Sequence, residues 1–175
     1  PGVDAAPFRE AEVRLLQRAD GVFATAPSLA EHCKTYNPNT HFLPNVVDAE
    51  HFGRALKPGP IPEDLACIPE PRLCYHGVLS DFKIDFRLLI EAARMKPEWS
   101  WVLIGEEREG QKNPLVAELR TLPNVHFLGY KPYAKLPDYL RGMQVGLLPS
   151  LINDYTRGMF PMKYYEYLAA GLPVV

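Results

Sequence analysis

The sequence predicts an α/β fold, a Rossmann-like, doubly wound parallel sheet, and three observations carry that expectation. Short apolar runs alternate with helical stretches along nearly the whole chain, the rhythm of βα units joined by right-handed crossovers. The runs are close to continuous in apolar residues, as in Leu73-Cys-Tyr-His76 and Trp101-Val-Leu-Ile104, which suits strands buried on both faces. Most of them then stop at a small residue or proline, at Gly77, Gly105, Gly129 and Pro149-Ser150, where a turn into a helix begins. No internal repeat accompanies this rhythm.

Taken in order, Phe8 to Arg18 suits a helix, with Val13, Leu15, Leu16 and Ala19 as its apolar positions. Gly21 breaks it, and Val22-Phe-Ala-Thr25 reads as a short buried strand. Ser28, with Glu31 three residues on, reads as a capping box for a helix to about Tyr36. His41-Phe-Leu43 is a second short strand. From Phe52 to Pro71 the composition shifts to proline, glycine and charge, the signature of a linker. Leu73–His76 is a strand, Gly77 a turn, and Asp85 the start of a helix through about Met95. Phe86, Leu89, Ile90 and Ala93 give that helix its apolar stripe, with Arg87 and Glu91 paired outside. Trp101–Ile104 is a strand, Leu115–Leu122 a helix, Val125–Leu128 a strand, Leu136–Met143 a helix and Val145–Leu148 a strand. The loop Ser150–Phe160 leads to a helix with Pro161 at its first position and Gly171 past its end. Pro173-Val-Val175 opens another buried strand. Both ends read as cut, so the expectation is a piece of a longer protein.

Composition narrows the function. The chain has 175 residues, 47% hydrophobic and 23% charged, with a net charge of −2 from 19 basic and 21 acidic residues, an ordinary globular balance. No basic, aromatic-interleaved patch marks a nucleic-acid footprint. The three cysteines (Cys33, Cys67, Cys74) and five histidines show no metal-ligand spacing, which argues for reduced thiols in a cytoplasmic protein. No run of about 18 apolar residues exists to span a membrane.

In a doubly wound sheet, ligands bind beyond the carboxyl ends of the strands. Lys163 and Glu166 share a face of the last helix near its N-terminus, a socket for a phosphorylated, hydroxyl-rich ligand. The alternative is a surface ion pair on an ordinary amphipathic helix. The glycines likewise read either as close-approach points for a ligand or as tight βα turns. Lys83, ahead of a helix N-terminus, adds positive charge to the same site or is a solvated lysine.

The segment Pro161-Met-Lys163-Tyr-Tyr-Glu166-Tyr-Leu-Ala-Ala-Gly171-Leu-Pro173-Val-Val175 resembles the P-x-K-x-x-E-Y-x-A-x-G-x-P-V-V motif in the donor-binding half of GT-B glycosyltransferases of the family 4, group 1 type. Asn124-Val-His-Phe-Leu-Gly129-Tyr130 is similar to that family's N-V-x-F-x-G motif, and Pro44-Asn-Val46-Val-Asp48…Phe52 to its interlobe hinge, with Val46 for the usual glycine. His76-Gly77…Lys83 is similar to its glycine–lysine loop, and Val102-Leu-Ile-Gly105-Glu106 to the strand after it; Glu106 to Glu109 read as a solvated loop. The resemblance implies the donor lobe of a GT-B fold: residues 1–44 from the end of the acceptor lobe, 45–71 the hinge, and 72–175 the nucleotide-sugar lobe. It implies Glu166 on the ribose, Gly129 and Tyr130 against the nucleobase, and Gly77, Lys83, Arg157, Gly158 and Lys163 around the donor diphosphate. The family often carries a second glutamate eight positions before Glu166, where this chain has Gly158.

The implied reaction moves a sugar from a nucleoside diphosphate sugar, such as a UDP- or GDP-sugar, to an acceptor hydroxyl during surface polysaccharide assembly. No cofactor or metal is expected. A sugar or lipid-linked acceptor is expected, with the full-length enzyme cytoplasmic and peripheral at the inner membrane face. Acceptor-side groups would lie outside this chain, leaving it inactive alone, and its open sheet edge raises dimerisation. A nucleotide-sugar epimerase of the same fold, or a non-catalytic nucleotide-binding scaffold, are the competing readings.

Overall fold

A computed structural model describes residues 5–107 and 112–175; the loop expected at Arg108 and Glu109 lies outside the described residues. The chain forms two compact units, one running to Asn45 and taking in Arg157–Phe160, the other comprising Val46–Thr156 and Pro161–Val175.

The first unit holds α1 (Ala6–Arg18), β1 (Val22–Ala24), α2 (Pro27–Lys34) and β2 (Thr40–Phe42). The two strands pair in parallel, Val22 opposite Thr40. Buried Asn37 ties the unit together, its side-chain amide donating to the Leu16 and Ala19 carbonyls at 2.8 Å each. The capping box expected at Ser28 does not form. Pro27 takes the first turn and Ala26 is the extended residue before it, with no side-chain cap, because a proline without an N–H already suits that position.

The second unit begins with α3 (Ala49–Gly53), a 3₁₀ turn (Arg54–Leu56) and α4 (Glu63–Ala66). The stretch expected as an irregular linker is therefore part of this unit's core, where Phe52 and Leu65 are fully buried. Composition hid them because both apolar anchors stand alone among prolines and charges. The loop between the helices hangs on one cation: the Arg141 guanidinium donates to the carbonyls of Lys57 (2.9 Å), Pro60 (3.0 Å) and Arg54 (3.1 Å), and to Asp138 (3.0 Å).

Then come β3 (Arg72–His76), α5 (Phe86–Met95), β4 (Ser100–Ile104), α6 (Pro114–Leu119), β5 (Val125–Gly129), α7 (Leu136–Leu140), β6 (Val145–Gly146), α8 (Asp154–Arg157) and α9 (Met162–Ala169). The four strands form a parallel sheet in the order β5-β4-β3-β6. Alternating residues feed two cores. Cys74, Val102 and Ile104 pack with Phe52, Leu65, Leu140 and Tyr167, while Leu73, Tyr75, Trp101 and Leu103 pack with Phe86, Leu89, Ile90 and Val116. Helices thus cover both faces, the doubly wound arrangement expected.

Several elements are shorter than expected, α7 and β6 among them. α7 ends at Leu140, where bonds from Gly142 to Tyr139 and Met143 to Leu140 tighten the last turn. β6 is only two residues long, yet its ladder continues from the Leu147 N–H to the Cys74 carbonyl (2.8 Å). Val174 bridges Gly146 in parallel, so the expected last strand does pair.

Candidate functional site

Counting β3 as the first strand of the sheet, the order reads 3-2-1-4, and it reverses between β3 and β6. A crevice opens at such a switch point beyond the carboxyl ends of the strands. Two turns meet there. Gly77 (φ 120°) leaves β3 and Gly105 (φ 139°) leaves β4, conformations that side-chain-bearing residues rarely adopt. A Cβ on Gly105 would collide with the Gly77 carbonyl. Bonds from the Gly77 N–H to the Ile104 carbonyl (2.8 Å) and from the Leu79 N–H to the Glu106 carbonyl (2.9 Å) lock the turns side by side.

The loop after Gly77 is held from the far side of the crevice. Ile84 bridges Ser150, the Asp85 N–H donates to the Pro149 carbonyl (2.8 Å), and the Leu151 N–H to the Lys83 carbonyl (2.9 Å). Asp85 caps α5, accepting from the Leu88 N–H at 2.9 Å. Lys83 lies just ahead of that cap, its ammonium 5.5 Å from the Phe82 ring and 5.3 Å from the Tyr155 ring.

The last helix brings the second cation. Pro161 is the N-cap of α9, one place earlier than expected, and Gly171 (φ 77°) follows its end. Tyr167, fully buried, fastens α9 to β3: its hydroxyl donates to the Cys74 carbonyl (3.0 Å) and accepts from the His76 N–H (3.2 Å). Lys163 reaches across Gly77 so closely that a Cβ there would lie 2.9 Å from its Nζ. Its pKa is lowered, by burial first and, against the opposing pull of Glu166, by Lys83. Two lysines that repel one another across a glycine turn favour an anion between them.

Glu166 is 8% exposed, and burial raises its carboxyl pKa against the opposing pull of Lys163 and His51. His76 Nε2 lies 3.3 Å from Glu166 Oε2. The pair is not an ion pair, because burial pushes the imidazole pKa down to about 3, leaving it neutral.

A cleft of about 400 Å³ opens beside this group, walled by His76, Gly77, Gly105, Glu106, Tyr130 and Tyr133. Tyr130 is 69% exposed, and its N–H donates to the Glu106 carboxylate at 3.4 Å. Tyr133 stacks on His51 with ring centroids 4.4 Å apart.

Residues 70–175 match the family model described as glycosyl transferases group 1. The chain belongs to that glycosyltransferase family. It is 30% identical over 172 residues to the "putative teichuronic acid biosynthesis glycosyltransferase TuaH" of Bacillus subtilis, covering 96% of this chain and 43% of that protein. Its fold matches Anabaena HepE in complex with UDP and glucose (TM-score 0.74, 19% identity, 98% of this chain and 48% of that one). It also matches the sucrose-phosphate synthase of Thermosynechococcus elongatus (TM-score 0.71, 21% identity, 99% and 45%). The chain spans less than half the length of each of these relatives.

For this glycosyltransferase chain, the second unit gathers Gly77, Lys83, Gly129, Tyr130, Lys163 and Glu166, while Arg157 and Gly158 fall in the first. Sequence reading passed over His76, Glu106, Tyr133 and His51. Only His76 carried a signal, its place directly before the turn glycine; Glu106 resembled a solvated loop, and the His51–Tyr133 stack joins residues far apart in sequence. Among the described residues, no cluster of three or more His, Cys, Asp or Glu could hold a metal ion, and no helix is long and apolar enough to cross a membrane.

Proposed function

We propose that this chain is the donor-binding half of an enzyme that transfers a sugar from a UDP-sugar to an acceptor hydroxyl in surface polysaccharide assembly. The meeting of the Gly77 and Gly105 turns with Lys163, and of Glu166 with His76, at the carboxyl end of β3 carries the reading. The complex of HepE with UDP supports the choice of base. In this reading the Glu166 carboxylate accepts from the ribose hydroxyls, and Gly129 and Tyr130 face the nucleobase. Lys83 and Lys163 hold the diphosphate, and Gly77, which carries no side chain, lets it approach the backbone. Negative charge grows on the leaving diphosphate as the glycosidic bond breaks, and preorganised cations stabilise it there. The acceptor, a sugar or lipid-linked glycan at the inner membrane face, is met by residues outside this chain, which alone binds nucleotide without turnover.

Calorimetric titration with UDP, GDP and ADP tests this. UDP is expected to saturate the chain, and Glu166→Ala to weaken it by roughly 1–3 kcal/mol, as for a lost hydrogen bond to a charged group. Absence of binding to all three by folded protein would refute the assignment.

A further inference from the structure

We infer that His76 is a positioning residue for nucleotide binding, holding the Glu166 carboxylate in place through a donated Nε2–H. The inference rests on the ribose-binding reading of Glu166. The imidazole is buried, 4% exposed, at the carboxyl end of β3. Its Nε2 has no formed hydrogen bond among the described residues, although Glu166 Oε2 lies only 3.3 Å away. A buried polar atom without a partner is costly and rarely accidental. Here the partner is in reach and merely out of line, as contacts in unliganded sites often are before they tighten around a substrate.

The surroundings fix the direction of that bond. The Tyr167 ring meets the imidazole edge to face, with centroids 5.0 Å apart, and the Tyr167 hydroxyl accepts from the His76 backbone. The ring is thus set from below by α9, the helix that also carries Glu166. Lys163, on the same helix, is near enough to disfavour a charged imidazole. A neutral ring facing a carboxylate can only donate, so Nε2 carries the proton. Lys163 and His51 approach Glu166 as well, but Lys163 bends over Gly77 towards the phosphate end, and His51 Nε2 is spent on the Tyr133 carbonyl at 3.0 Å. His76 is left to orient the carboxylate, so that one oxygen is steadied and both lone-pair edges face the vicinal hydroxyls.

The experiment is a mutant cycle read by calorimetry on the intact chain, with UDP and GDP as probes. His76→Phe keeps the ring packing and removes the donor; it is expected to weaken binding about tenfold, the effect of one hydrogen bond to a charged group. His76→Gln restores an N–H and is expected to recover most of that loss. In a Glu166→Ala background, His76→Phe is expected to cost nothing more, since its effect runs through the carboxylate. If His76→Phe binds like the parent while Glu166→Ala is weakened, or if its loss persists without Glu166, the inference fails alone. If neither nucleotide binds the parent, or Glu166→Ala binds unchanged, the ribose reading fails and takes the inference with it. Imidazole ¹⁵N spectra of the unmutated chain make the test independent of variant folding. The Nε2-protonated tautomer at neutral pH is expected, and the Nδ1-protonated one overturns the proposal.

Discussion

His76 makes stability depend on pH in a direction that can be worked out. Its ordinary pKa of 6.5 falls to about 3 in the folded chain, so the unfolded chain takes up a proton that the folded one refuses. The stability tied to this group is fully present above pH 6.5 and is lost as pH drops from there towards 3, with a limiting slope of roughly 1.4 kcal/mol per pH unit. Glu166 acts oppositely: its carboxyl pKa is raised by burial, so the folded chain holds a proton more readily and gains stability as pH falls through that raised pKa. Urea unfolding at neutral and mildly acidic pH is expected to show the parent losing stability on acidification. His76→Phe should remove the larger part of that loss. Equal losses in both chains would show that His76 is not the group responsible.

At the level of elements, α5 depends on its cap. Asp85→Ala leaves the Leu88 N–H without its 2.9 Å partner and is expected to cost about 1 kcal/mol in urea unfolding; no change would mean that water satisfies the N–H equally well. This cap was legible because Asp85 stands directly before the apolar stripe of Phe86, Leu89, Ile90 and Ala93, and that stripe is the buried face observed. Strands β3, β4 and β5 were legible for the same reason, since each is a dense apolar run stopped by a glycine. The helices at Phe52 and Leu65 were not, because a four- or five-residue helix shows no period and tertiary burial alone decides its side. In the site, Lys163 and Glu166 were legible from local spacing. The contact of Glu166 with His76 was not, because it joins a helix to a strand ninety residues earlier and no local pattern records such a pairing.

For the molecule as a whole, the two units differ in what holds them. In the first, Leu16, 8% exposed, is the only large apolar side chain that is buried among the described residues, beside Ala24, Ala26 and Ala30. The second encloses its sheet between two apolar layers. Amide exchange is therefore expected to be slowest in β3 and β4 and much faster in β1 and β2, which open locally at lower free energy; equal protection would show that the chain unfolds as one cooperative body. The Arg141 clamp has a different consequence at this scale. It grips Arg54, Lys57 and Pro60 by their carbonyl oxygens, a group that every amino acid carries. The clamp is thus indifferent to which side chains Arg54, Lys57 and Pro60 carry, so those positions can drift over evolutionary time while a single guanidinium elsewhere keeps the outline.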